Sequence, residues 1–187
     1  MQVSEFKIRW MLSRDMPAVL DIEADSFESP WLEGHFICCL WFRNCIGMVA
    51  ERDKQIVGIM VYMLKKHHIL LLNLCVAAGA RRQGVGTAMI DRIKEKLGRS
   101  CYRKTVAAKV RERNLAAQLF FRKNGFRAAS VIRDYYEDTS EDAYLMRFTT
   151  IGETNNTGQE QRGKHDVTPP RSAATGMVSE RIAQRRS

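Results

Sequence analysis

Leu72-Asn73-Leu74-Cys75-Val76-Ala77-Ala78-Gly79-Ala80-Arg81-Arg82-Gln83-Gly84-Val85-Gly86-Thr87 joins an apolar run to a glycine-bearing turn and then to a helix start. Residues 69–77 are apolar except for Asn73, and such a short, β-prone run suits a central strand covered on both faces. Residues 84–97 repeat Val85, Met89, Ile93 and Leu97 at every fourth position among charged residues, which predicts an amphipathic helix. In the turn between them, glycines allow backbone N–H groups to approach an anion, and the helix N-terminus adds partial positive charge. This is a device for gripping a pyrophosphate. It lacks the lysine and spacing of a Walker loop, and Met89 stands where the dinucleotide fingerprint has its third glycine. By itself Gly84-x-Gly86 also fits a tight strand-to-helix turn without a ligand.

Outward from this unit the chain alternates strand and helix signals. Residues 6–11 read as a strand, 15–25 as a helix, 26–30 as a turn and 31–42 as a second helix. Residues 46–50 and 56–64 read as strands joined in a hairpin near Arg52-Asp53-Lys54. Residues 105–110 form a strand with Val106, Ala108 and Val110 on one face and Thr105, Ala107 and Lys109 on the other. Asn114 suits the N-cap of a helix that ends at Asn124, with Gly125 as its stop. Residues 126–136 and 143–148 read as a final antiparallel pair, so the order is α/β with a mixed sheet.

The chain has 187 residues and a net charge of +9, which suggests an acidic partner without choosing among nucleic acid, ribosome, membrane surface and phosphorylated ligand. No apolar run approaches the ~18 residues of a membrane helix, and no secretory signal is evident at the start. The five cysteines, Cys38, Cys39, Cys45, Cys75 and Cys101, are odd in number and form no C-x-x-C pair. They read as reduced, buried thiols of a cytoplasmic protein rather than a disulfide framework or a zinc site. Residues 151–187 contain no Phe, Trp, Tyr or Leu, so 1–150 reads as one domain and 151–187 as a disordered basic tail.

Arg81-Arg82-Gln83-Gly84-Val85-Gly86 after a buried strand resembles motif A of the GNAT superfamily of acetyl-CoA-dependent N-acetyltransferases. Asn114-Leu115-Ala116-Ala117-Gln118-Leu119-Phe120-Phe121-Arg122-Lys123-Asn124-Gly125-Phe126 resembles that family's N-x-x-A-x-x-[FL]-[FY]-x-x-x-G-F helix. Ser26-Phe27-Glu28-Ser29-Pro30-Trp31, the pairing of Glu23 with Phe27, and Arg133-Asp134-Tyr135-Tyr136 are similar to features of ribosomal-protein-alanine N-acetyltransferases. The resemblance implies a mixed, mostly antiparallel sheet of about seven strands flanked by about four helices over residues 6–149. It also implies acetyl transfer from acetyl-CoA, with no metal, to a protein N-terminus, with a ribosomal protein as the expected acceptor.

Carried over residue by residue, Leu74, Cys75 and Val76 offer backbone groups to the pantetheine, and the Val76 N–H polarises the thioester carbonyl and stabilises its oxyanion. Arg81, Arg82, Gln83, Gly84, Val85, Gly86 and Thr87 hold the pyrophosphate. Asn114 and Phe121 sit near the thiol end, and Asn114 serves equally as a helix cap. Phe27, Pro30, Trp31, Tyr135 and Tyr136 line the peptide N-terminus, although each also suits ordinary packing. Strict strand alternation allows only one of the two tyrosines to point into the site.

The sequence departs from the family at both proton-transfer positions. The usual glutamate base is Lys109 and the usual tyrosine acid is Phe121, while Glu112 is expected on the opposite face from Lys109. An α-amine with pKa about 7.7–8 is roughly a tenth neutral at pH 7, against about 0.04% for a lysine, so an N-terminal acceptor needs little help from a base. Lys109 also suits a strand residue that reaches solvent without a chemical role. Three other functions compete: acetylation of a small amine or lysine, non-catalytic acetyl-CoA binding, and ribosome or RNA binding. The last is disfavoured because no aromatics interleave the basic clusters and coenzyme A already supplies phosphates for the arginines.

Overall fold

A computed structural model describes residues 5–136 and 139–150. Its seven strands are β1 (Lys7–Trp10), β2 (Cys45–Arg52), β3 (Gln55–Leu64), β4 (His68–Val76), β5 (Thr105–Arg111), β6 (Arg127–Tyr136) and β7 (Glu141–Thr149). They form one sheet in the order β1-β2-β3-β4-β5-β7-β6. Every neighbouring pair is antiparallel except β4 and β5. The helices are α1 (Met16–Ala24), α2 (Glu33–Trp41), α3 (Val85–Gly98) and α4 (Leu115–Lys123). The architecture expected from the sequence is therefore present; the tail expected over 151–187 lies outside the described residues.

Both faces of the sheet are covered. On one face, Val85, Met89, Ile93 and Leu97 of α3 pack with Phe121 of α4 on Met48, Met60, Ile69, Val106 and Val110. All four of the α3 residues are buried, as their spacing predicts. On the other face, Val19 and Ile22 of α1 and Phe36 and Cys39 of α2 cover Val49, Ile59 and Val61. This double cover explains why β2 and β3 carry long apolar runs rather than alternation. Of the thiols expected to be buried, Cys39, Cys45 and Cys75 are, whereas Cys101 is exposed. Their hairpin turns at Asp53 and Lys54, both with positive φ (50° and 65°), the geometry whose twist matches paired strands.

The β1 edge is tied down by ions. Arg9 bonds both oxygens of Asp15 (2.7 and 2.9 Å) and Glu51 Oε2 (2.7 Å), while the Leu12 N–H donates to Asp15 (2.8 Å). Arg9 holds the buried Asp15 carboxyl below its ordinary range. Its stabilising effect is therefore full above the unfolded-state pKa and disappears as pH falls through the depressed folded value. Asp15→Asn should cost about 1.5–3 kcal/mol at pH 7. In thermal unfolding from pH 7 to pH 2, the gap between the two proteins should close in acid.

Candidate functional site

The site originates in a broken strand pairing. β4 and β5 pair in parallel from His68↔Thr105 to Leu71↔Ala108 and no further. Beyond that point β4 remains paired with β3, and β5 with β7. The cause lies at Leu72: Val61 pairs with Asn73 and Tyr62 with Leu71, so Leu72 is an extra residue. Such a bulge bends its strand and increases the local twist. The two strands separate around a cleft of about 100 Å³, lined by Leu72 and Asn73 on one wall and Lys109 and Arg111 on the other. Asn114, Ala117 and Phe121 close it from α4, and Phe27 and Tyr136 also line it. A larger hollow, about 400 Å³, lies on the other side of α4 against Phe126, Tyr144 and Met146, away from these strand ends.

The β4 wall has free backbone groups. The Ala77 N–H donates to Val57 O at 3.0 Å, so residue 77 faces β3. In an antiparallel pair, alternate residues point their N–H and C=O the other way. Val76 and Leu74 therefore present theirs toward the space vacated by β5. The Val76 carbonyl accepts from Arg81 Nε at 2.9 Å, and Arg81 Nη2 reaches Ser26 Oγ at 3.2 Å. The Arg81 guanidinium, expected on an anion, is thus engaged in fixing the end of β4.

The turn divides its work. Arg82 and Gly84 have positive φ (64° and 85°), and no side chain caps α3. The Ala88 N–H already donates to Gly84 O, which leaves the N–H groups of Val85, Gly86 and Thr87 as the orphan donors of the first turn. Such donors at a helix N-terminus suit an anion. Gln83 has a lacing role, accepting from Arg52 Nη1 (2.6 Å) and donating to Gly79 O (2.7 Å). The Val85 side chain is core. At Gly86 a Cβ would lie 3.1 Å from Phe120 Cε2, so this glycine also admits α4.

At the β5 wall, Lys109 Nζ contacts the Tyr135 hydroxyl at 3.2 Å and lies 4.4 Å from that ring's centre. Arg111 stacks on Tyr136 at 3.9 Å and also bonds Glu141 (3.0 Å). Burial pushes the Glu141 carboxyl up, but the Arg113 N–H and the Arg111 guanidinium outweigh it and hold the group below its usual range. Among the described residues no carboxylate pairs with Lys109. Both tyrosines turn toward β5, with ring centres 5.0 Å apart, but of the two only Tyr136 lines the cleft, as expected. The expected alternation fails because the β6–β7 register shifts between Ile132 and Tyr136 and Asp134 has φ 49°. Glu112 is exposed beyond the end of β5.

The remaining expected residues separate by burial. Phe27 lines the cleft and Pro30 is half-buried beside it in sequence. Trp31 is buried core, packed edge-on against Phe36 at 5.2 Å. Asn114 realises its cap, accepting from Ala117 N–H at 2.9 Å, and also lines the cleft. Phe121 packs on Phe126 at 5.1 Å.

One polar cluster was not singled out by the sequence. Glu23 is fully buried and accepts from Trp31 N–H (3.1 Å), Asn73 Nδ2 (2.9 Å to each oxygen) and Cys75 Sγ (3.5 Å). The bulge turns Leu72 and Asn73 to the α1 side together. The available signal was the lone asparagine in a buried run, since a buried amide requires partners.

The sequence matches the Acetyltransferase (GNAT) family over residues 16–126. An uncharacterized N-acetyltransferase of Methanocaldococcus jannaschii is 30% identical over 141 residues, 74% of this chain and 88% of that one. The [ribosomal protein bS18]-alanine N-acetyltransferase of Escherichia coli K12 is 28% identical over 134 residues, 71% of this chain and 89% of that one. The crystal structure of the E. coli ribosomal-protein-S18-alanine N-acetyltransferase has the same fold, with TM-score 0.70 at 24% identity over 82% of this chain and 100% of that one. Ard1 from Thermoplasma volcanium gives TM-score 0.69 at 26% identity over 79% and 99%.

Gly84 has open space where a Cβ would stand, so replacing it tests backbone conformation alone. Gly84→Ala should destabilise by about 1 kcal/mol or more and Gly84→Asn by less, since asparagine tolerates positive φ better. Urea unfolding midpoints will order the three proteins.

Proposed function

This chain belongs to the acetyltransferase (GNAT) family, and we propose that it transfers acetyl from acetyl-CoA to the N-terminal α-amine of a protein, with a ribosomal protein as the first candidate. The supporting observation is the open β4 edge beside an uncapped α3 N-terminus. The N–H groups of Val85, Gly86 and Thr87, with Arg82 beside them, receive the diphosphate. Leu74 to Val76 bind the pantetheine amides as a missing strand would, and Asn114, Ala117 and Phe121 border its thiol end.

The amine lone pair attacks the thioester carbon. A C–N bond forms, the C–S bond breaks, coenzyme A leaves as thiolate, and the nitrogen gives up one proton to water. The Val76 N–H receives the charge developing on the carbonyl oxygen. Direct attack calls on no metal. Phe27, Pro30, Tyr135 and Tyr136 surround the peptide end, with Trp31 supporting them from the core. Lys109 contributes by charge: a nearby cation favours the neutral amine over the ammonium. The same charge works against polyamines, which bring further cations, and a lysine side chain starts almost wholly as ammonium. A cytoplasmic location fits the thiol-rich composition, and no helix among the described residues is long and apolar enough to cross a membrane.

Turnover of acetyl-CoA against peptides differing only in their first residue tests this reading. Preference for alanine or serine supports it, whereas equal rates on all peptides and on free polyamines overturn it. Lys109→Met should move the acidic limb of the kcat–pH profile upward by roughly a few tenths of a unit, the effect of one charge about 7 Å away in a water-like medium. Lys109→Glu combined with Phe121→Tyr restores both usual proton-transfer groups and should raise kcat about tenfold or more in single-turnover measurements.

A further inference from the structure

We infer that Asn73 Oδ1 is a binding point for an N–H of the acceptor amine, held in position by the buried Glu23 carboxylate. This rests on the amine-acetylation reading above. Among the described residues every partner of Glu23 is a neutral donor, from Trp31, Asn73 or Cys75, and no cation shares its site. A carboxylate only accepts, so the amide must turn Nδ2 toward it, and hydrogen-bond chemistry itself assigns the two ends of Asn73. Both Glu23 oxygens lie 2.9 Å from Nδ2, which removes the freedom to flip. The other end, Oδ1, is the one buried side-chain oxygen among the described residues with no partner.

Asn73 is 2% exposed, lines the cleft, and sits next to the bulge where β4 leaves β5. A buried acceptor left bare is costly, so such a site invites a donor from outside. The negative charge behind Nδ2 polarises the amide and enriches Oδ1, favouring N–H over anionic or carbonyl ligands. Lys109 on the facing wall repels a positive nitrogen, which directs an amine to the β4 side. A neutral amine bound through N–H keeps its lone pair for the thioester. Asn73 therefore contacts the acceptor, and Glu23 is a positioning residue acting through it.

Steady-state kinetics on wild type, Glu23→Gln and the double variant Glu23→Leu/Asn73→Leu, each with its best peptide and acetyl-CoA, test the assignment. Glu23→Gln keeps an acceptor for Trp31 but brings Nε2 toward the Asn73 amide, which can turn and cap Oδ1. The double variant removes every polar atom of the pair at similar volume, and Glu23→Gln serves if it does not fold. Both should raise the peptide KM about tenfold or more while the acetyl-CoA Kd stays within about twofold. A purely structural role would instead move both ligands together with the unfolding midpoint. Unchanged peptide KM in a folded variant, or parallel loss of both ligands, overturns the assignment while leaving the function intact. A wild type that acetylates no peptide overturns both.

Discussion

The extra residue at Leu72 is the constraint from which the site follows. Up to Leu71 the parallel pairing of β4 and β5 is an ordinary central ladder. One residue later β4 bends, and its outer N–H and C=O groups lose their partners on β5 without losing the support of β3. A sheet that opens in its middle would normally leave costly bare backbone. Here the exposed edge meets the first turn of α3, whose donors are also unfilled. The two deficits are adjacent, so one ligand chain carrying amides and phosphates can satisfy both.

Around that opening, side chains that resemble ligand contacts are often structural. The Arg81 guanidinium fixes the last carbonyl of β4, Gln83 ties the turn to β2, and Gly86 makes room for an aromatic ring. Motif residues thus shape the backbone, and the backbone provides the donors. The separation also explains how the positions expected to carry a base and an acid can hold Lys109 and Phe121 while the geometry of the fold is kept. Those positions concern side chains, whereas the open edge depends on a bulge and a turn.

Much of this was legible in the sequence because it rests on local rules. The four-residue stripe of α3, the Asn114 cap, the Gly125 stop and the turn at Asp53-Lys54 all appear at their expected places. What escaped was non-local. The bulge at Leu72 depends on register against β3, which no periodicity within β4 reveals. The same cause hid the pairing of Glu23 with Asn73, fifty positions apart in the chain. The joint orientation of Tyr135 and Tyr136 failed on a second irregularity, at Asp134, where an aspartate adopts positive φ without the glycine that would announce it.

That irregularity at Asp134 also acts on the outer rim of the molecule. β6 is the terminal strand of the sheet, and its residues are largely exposed. A straight outer strand offers a template on which foreign chains can stack. The kink, together with Arg127 and Arg133 along the same strand, spoils the template, and edge-to-edge growth into aggregates is discouraged by shape as well as by charge.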